Sequence, residues 1–417
     1  MSKRKKTFLA LLTTMLIVGL IGCEEKDMKF PLENPPSIPK GLGVSIHSGT
    51  TEKDIQMIAD AGFKWVRIDI FWDRVERKKG EYNFSSTGYD KLNSLLKKYR
   101  IKPYYILDYS NKLYENDRSI ITDEGRKAFA DFTGAVTKRY RNQGGAWEIW
   151  NEPNIDIFWK PQPSYEQYSL LVKAIAPIIR KNDKSGLVIA PAVSTLNNNG
   201  LKWLKEVFSR GILDEIDAVS VHPYRTTSPE TVSEDYTRVN ELIKQYSDKD
   251  IPVVSSEWGY SIANKALHLT ETQQATYMTR TLLINTKNKI PVSIWYDWKN
   301  DGTDLENKEH NFGIVFNDRS HKLSYLAIQT LTTRLKNYTF SNSIVTDDND
   351  KFILEFKNTR GRKALVYWTI GENSTITVPL ESGKGKIYSM LGGMERVTWV
   401  DNLDVKISSS PNYLIIE

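Results

Sequence analysis

Residues 42–70 read LGVSIHSGTTEKDIQMIADAGFKWVRIDI, and the fold is decided there. Leu42–Ile46 is a short apolar run with strand character. Over Asp54–Ala61, Ile55, Ile58 and Ala59 fall on one helical face; Thr51 stands ahead as a cap and Gly62 ends the run. Trp65–Ile70 then resumes as a strand, completing one strand–helix–strand unit. Further strand candidates follow at Pro103–Leu107, Trp147–Trp150, Leu187–Ala190, Ala218–Val221, Pro252–Ser255 and Val292–Trp295. Helical stripes separate them, among them Leu92, Leu95, Leu96 and Tyr99, then Phe129, Phe132, Val136 and Tyr140, then Tyr168, Leu171, Val172 and Ile175. Ser164 with Gln167, and Thr270 with Gln273, have the spacing of capping boxes, and Leu323–Leu335 closes the series. Eight strands, each followed by a helix, predict a (β/α)₈ TIM barrel over residues 40–336. An open doubly wound sheet is the alternative; the count of eight and the lack of a Gly-rich phosphate turn after the first strand argue against it.

Beyond residue 336 the period changes to two. Lys351–Lys357, Lys363–Thr369, Ser374–Leu380, Lys386–Met390, Val397–Val400 and Val405–Ser408 alternate apolar and polar residues between turns. Residues 337–417 are therefore predicted to form a small antiparallel β-sandwich packed on the barrel.

The composition is that of a globular protein: 40% hydrophobic and 26% charged, with one Cys in 417 residues. A single Cys excludes a disulfide scaffold and cysteine-rich metal sites. Of the six net positive charges, four are Lys3, Arg4, Lys5 and Lys6, so the chain after residue 22 carries only two. That gives no basis for a nucleic-acid partner.

The first 22 residues have a basic start and an apolar stretch from Phe8 to Gly19, too short for a permanent span, so they read as a secretory signal. Leu20-Ile21-Gly22-Cys23 resembles a bacterial lipobox, which implies that Cys23 is lipidated. Residues 23–39, with acidic residues and then Pro31, Pro35, Pro36 and Pro39, read as a solvated tether. The expected location is extracytoplasmic, lipid-anchored to an outer membrane or cell surface.

Reactive groups of a (β/α)₈ barrel gather at the C-terminal ends of its strands. The fourth strand ends in Trp150-Asn151-Glu152-Pro153-Asn154, and the seventh in Ser255-Ser256-Glu257-Trp258-Gly259. Two glutamates on two strands across the barrel mouth are what retaining glycosidic cleavage requires, one as acid and one as nucleophile. Alone, either glutamate reads more blandly as a surface ion-pair partner.

With these motifs the sequence resembles clan A of the glycoside hydrolases, families 39 and 5 most closely. The resemblance implies Glu152 as general acid/base, Asn151 as ligand of the sugar 2-hydroxyl, and Glu257 as nucleophile. It implies that Tyr224 in His222-Pro223-Tyr224 hydrogen-bonds the nucleophile, that Arg67 holds it ionised, and that Trp295 or Trp298 floors the sugar subsite. Where family 5 commonly has a histidine after the third strand, this chain has Asp108-Tyr109. His47 and Trp258 are further subsite candidates, with Trp72, Tyr105, Tyr109 and Trp159 at other strand ends. Strand alternation puts Arg67 with Asp69, His222 with Tyr224 and Ser220, and Glu257 with Ser255 and Val253. It turns Asn151 outward unless the strand bulges or ends before it, which is the expectation here. The charges should hold Glu257 ionised and Glu152 protonated.

The sequence thus implies a retaining glycoside hydrolase with a carbohydrate substrate, acting as a monomer without cofactor or metal. The loop bearing Asp301, Asp304, Glu306 and Glu309 lacks EF-hand spacing and reads as a solvated acidic loop. The alternatives are a transglycosylase with the same chemistry, or a non-catalytic glycan-binding lipoprotein.

Overall fold

The computed structural model describes residues 32–417. Cys23, the signal segment and the first part of the tether lie outside the described residues. Eight parallel strands close into a barrel: β1 (Leu42–Ser45), β2 (Trp65–Phe71), β3 (Lys102–Asp108), β4 (Ala146–Ile149), β5 (Leu187–Ser194), β6 (Ala218–His222), β7 (Val253–Trp258) and β8 (Ser293–Trp295). Each strand is followed by a helix, and β1 pairs with both β2 and β8, which shuts the ring. Among the described residues no helix is long and apolar enough to cross a membrane.

Local chemistry accounts for the helix starts. Thr51 and Asp54 cap each other reciprocally at the head of helix Glu52–Asp60, and Thr270 with Gln273 does the same at Glu271–Lys287. At Tyr165–Asn182 only half of the predicted box forms: the Ser164 hydroxyl accepts from the Gln167 amide, while the Gln167 side chain accepts from Arg126.

The base of the barrel is filled by a layer from alternate positions near the strand starts, including Trp65, Tyr104, Ala146, Leu187, Ala218, Val254 and Val292. The supposed tether reaches this base. Leu32 packs against the layer, Ile38 is 2% exposed, and the Ile38 amide donates to the Tyr338 carbonyl. Residues 36–39 are therefore part of the folded body, because Pro36, Ile38 and Pro39 find apolar cover there.

The C-terminal strands are β9 (Tyr338–Ser343), β10 (Lys351–Asn358), β11 (Lys363–Thr369), β12 (Ser374–Pro379), β13 (Gly383–Ser389), β14 (Met394–Trp399), β15 (Asn402–Ile407) and β16 (Asn412–Ile416). Six form an antiparallel sheet in the order β9-β10-β11-β16-β13-β14, and β12 pairs with β15 as the second layer. Period-two alternation serves two interfaces here. Ile353, Leu365, Tyr367 and Leu414 meet the second layer, whereas Leu354, Phe356, Val366 and Trp368 turn to the barrel's core. At that junction the Trp368 indole donates to Glu230 at 2.7 Å, and Arg280 grips the same carboxylate with two nitrogens.

Candidate active site

Irregular backbone at the mouth aims the functional side chains. β4 stops at Ile149; Trp150 (φ 71°) and Glu152 (φ 46°) then take left-handed backbone. The Trp150 ring turns out to pack on Tyr109, Phe129 and Trp159, and Asn151 and Glu152 turn into the cavity. The early strand end expected for Asn151 is present. The Glu152 amide donates to the Ala192 carbonyl, inside a register shift of β5 against β6.

β7 carries its own irregularity. Ser293 pairs with Ser255 and Trp295 with Trp258, so three residues of β7 advance against two of β8. Val254 lies in the inner layer while Val253 belongs to the outer core, which reverses the predicted parity; the extra residue is what brings Glu257 inward. Gly259 allows the chain to pass: a Cβ there would lie 1.9 Å from the Tyr296 carbonyl oxygen.

The side chains line a cavity of about 670 Å³ that includes His47, Arg67, Asp69, Tyr109, Asn151, Glu152, Glu257 and Tyr296. An oxygen of Glu152 and an oxygen of Glu257 come within 4.8 Å of each other. Arg67, 3% exposed, organises the floor. Its Nη1 donates to Glu257 Oε2 at 2.5 Å and its Nη2 to Asn151 Oδ1 at 2.8 Å. Its Nε and Nη2 also donate to Glu148 Oε2, at 2.9 and 2.7 Å. Tyr104 donates to the other oxygen of Glu148. The Tyr224 hydroxyl donates to Glu257 Oε1 at 2.9 Å. His222 is wholly buried between the two sides: its Nδ1 is 2.8 Å from Glu152 Oε1 and its Nε2 is 3.3 Å from Arg67 Nη2. In its neutral form the ring accepts from Arg67 through Nε2 and donates to Glu152 through Nδ1, since a guanidinium cannot accept.

These contacts separate the charges. Burial pushes Glu257 up, but the positive charge that His222 carries when protonated, the Arg67 guanidinium and the Tyr224 hydroxyl pull harder, and the carboxylate is held below its ordinary range. Burial and the neighbouring Glu257 push Tyr224 up, so it remains a donor. Asp108 is buried with neither oxygen receiving a hydrogen bond, and burial together with Asp69 pushes it well above the usual carboxylate range. Burial pulls His47 down, but Asp297, Asp301 and Asp69 outweigh it and raise the imidazole to about 9.

The cellulase family (glycosyl hydrolase family 5) matches residues 29–302. The chain belongs to that family. It is a glycoside hydrolase on a TIM barrel, and carbohydrate is its substrate class. No curated protein matches the chain. Among solved structures it is similar to a family 39 glycoside hydrolase from Bacteroides cellulosilyticus WH2, with 26% identity and a TM-score of 0.79 over 91% of this chain and 81% of that one. A monomeric β-xylosidase from Caulobacter crescentus CB15 is 17% identical, with a TM-score of 0.66 over 92% and 97%. A family 30 endoxylanase from Clostridium papyrosolvens C71 is 12% identical, with a TM-score of 0.67 over 92% and 97%. The last two show the fold alone.

Arg67, Asn151, Glu152, His222, Tyr224 and Glu257 of this glycoside hydrolase converge as the sequence predicted, and His47 lies on the cavity wall. The predicted aromatics do not. Trp295 and Trp298 are 1% and 2% exposed, and neither lines the cavity. Trp295 faces the helix layer, and the Trp298 indole is tied to Asp54 at 3.2 Å. Trp258 is wholly buried under Arg225, whose guanidinium lies 5.3 Å from its ring. Trp72, Tyr105 and Trp159 are core residues, and of the strand-end aromatics named above only Tyr109 reaches the cavity. The strand-eight aromatic on the wall is Tyr296, adjacent to the predicted tryptophan. Glu148, the buried anion that holds Arg67, went unnoticed because a Glu in Trp147-Glu148-Ile149 looks like ordinary alternation. Its inward parity with Ala146 was the available signal.

Proposed function

We propose that this glycoside hydrolase cleaves β-linked glycans by double displacement, with Glu257 as nucleophile and Glu152 as general acid/base. The observation that carries the reading is the approach of the two carboxylates within 4.8 Å, each held by different partners. Retaining enzymes space their carboxyl groups at about 5–5.5 Å, and inverting ones at about 6.5–9.5 Å to admit a water. Arg67 and Tyr224 keep Glu257 ionised and fixed for attack on the anomeric carbon. His222 occupies Oε1 of Glu152, which leaves Oε2 to protonate the departing glycosidic oxygen. After the glycosyl–Glu257 ester forms, Glu152 removes a proton from the water that hydrolyses it. Asn151, with its carbonyl oxygen engaged by Arg67, offers its NH₂ to the sugar 2-hydroxyl.

Replacing Glu257 with Ala should abolish turnover on a panel of aryl β-glycosides and intact polysaccharides while the circular dichroism spectrum stays unchanged. Retention of most activity on the best substrate would remove Glu257 from its role. The same panel distinguishes terminal from internal attack.

We also propose that the chain is a monomer, anchored outside the cytoplasm through a lipidated Cys23. The description of the Caulobacter neighbour as monomeric supports the first. The lipobox-like segment supports the second. Cys23→Ser should move the protein from the membrane fraction to the soluble one.

A further inference from the structure

Where the barrel closes, two loops bring three ligating side chains together beside the catalytic cavity. His47 lies two residues beyond β1, and Asp297 two residues beyond β8, the strands whose pairing shuts the ring. Asp301 follows in the same strand-eight loop. His47 Nε2 is 3.3 Å from Asp297 Oδ2 and 3.7 Å from Asp301 Oδ2, and ligand atoms of all three lie within 4.8 Å of one another. A pocket of about 180 Å³ opens onto the three, lined also by Thr50, Asn300 and Asn317.

Asp297 is the independent observation. It is 1% exposed; its Oδ1 has no partner, and its Oδ2 meets only the Nε2 of His47, at 3.3 Å. Burying a carboxylate with one oxygen left unpartnered is costly, and buried charges are paired or coordinate a metal. Beyond His47, the buried Lys322 does not satisfy it by contact, since its ammonium donates to the Gly313 carbonyl at 2.7 Å. Separations of 3.3 and 3.7 Å are also those of neighbouring ligands around an ion that each approaches to about 2.0–2.2 Å.

We propose that His47, Asp297 and Asp301 form a divalent-cation site, independent of the hydrolytic residues. One imidazole nitrogen with two carboxylate oxygens suits Zn²⁺ or Mn²⁺ better than the all-oxygen preference of Ca²⁺. The ion ties the β1 loop to the β8 loop at the barrel seam. It also fixes the wall: the Tyr296 ring packs edge-on against His47 with centroids 5.6 Å apart, and both line the catalytic cavity. The alternative state of the same side chains is a protonated His47 paired with Asp297, and the two are mutually exclusive because a metal needs the neutral ring.

The test uses the untagged full chain, stripped with chelator and dialysed. Thermal unfolding is followed against Zn²⁺, Mn²⁺, Ca²⁺ and Mg²⁺, with bound metal counted by elemental analysis. The expected result is one Zn²⁺ or Mn²⁺ per chain and a melting temperature that climbs with its concentration. Asp301→Asn, a half-exposed change that leaves the core intact, should weaken that binding at least tenfold. Glu257→Gln should leave it intact; this control is needed because Glu152, His222 and Glu257 form the other described trio of possible ligands. Absence of binding, binding unchanged by Asp301→Asn, or loss only in Glu257→Gln would each overturn the site. The first outcome would leave the protonated pair as the state of these residues.

Discussion

Tyr224→Phe isolates one hydrogen bond at the proposed nucleophile. The phenol donates at 2.9 Å to Glu257, whose side chain is 15% exposed, so the bond is little screened. A hydrogen bond to a charged acceptor contributes about 1.5–3 kcal/mol. At about 1.36 kcal/mol per pKa unit, its loss raises Glu257 by roughly one to two units. The sign follows from which form attacks. Glu257 must be ionised, and in the wild type it is held below the ordinary carboxylate range, so activity persists until the pH falls through that depressed value. Without the phenol the same loss occurs at higher pH. The assay is kcat/KM against pH on an aryl β-glycoside. The acidic limb should move up by about one to two units, and the plateau should fall about 10- to 100-fold as the nucleophile loses its restraint. A reduced plateau with an unmoved acidic limb would refute the assignment of Tyr224 to the ionised carboxylate.

Arg67→Met removes the guanidinium from two carboxylates, and the stranded Glu148, which is wholly buried, should cost about 3–5 kcal/mol in chemical denaturation along with the activity. A stability loss under 1 kcal/mol would show that Glu148 finds another partner. Asp108→Asn replaces a carboxyl that burial and Asp69 keep protonated with its neutral isostere; the melting temperature should change by no more than a few degrees, and a large drop would mean that the ionised form is the native one. Trp368→Phe deletes the indole bond to Glu230 at the barrel–sandwich junction; the expected cost is about 1–3 kcal/mol with kcat unchanged, and an unchanged melting temperature would show that the bond adds nothing to the interface.

The barrel was legible because each strand–helix unit repeats its own signals: an apolar strand, a capped start, a stripe at helical spacing. The site was legible where a motif fixes chemistry by local order, as in Asn151-Glu152-Pro153 and His222-Pro223-Tyr224. It was illegible where backbone irregularity overrides alternation. The one-residue bulge before Trp258 turns Glu257 in and Trp258 out, and no side-chain pattern in Val253–Gly259 announces it. Tyr296, by contrast, shares inward parity with Ile294 of the inner layer, and counting by two from that residue selects it over Trp295. Contacts between distant strands, such as Arg67 with Glu148, leave no trace in local order. The first and last strands of the sandwich, β9 and β16, escaped for another reason: Tyr338–Ser343 has little apolar alternation, and the interior strand Asn412–Ile416 is covered on both faces and reads as a bare apolar run.

Mass mapping of the enzyme after reaction with an activated 2-deoxy-2-fluoro β-glycoside addresses the proposed chemistry most directly, since the fluorine slows breakdown of any glycosyl ester. One sugar should be found per chain, on the peptide carrying Glu257 and esterified to that residue. A sugar on any other side chain, or turnover that never passes through a labelled enzyme, would contradict it.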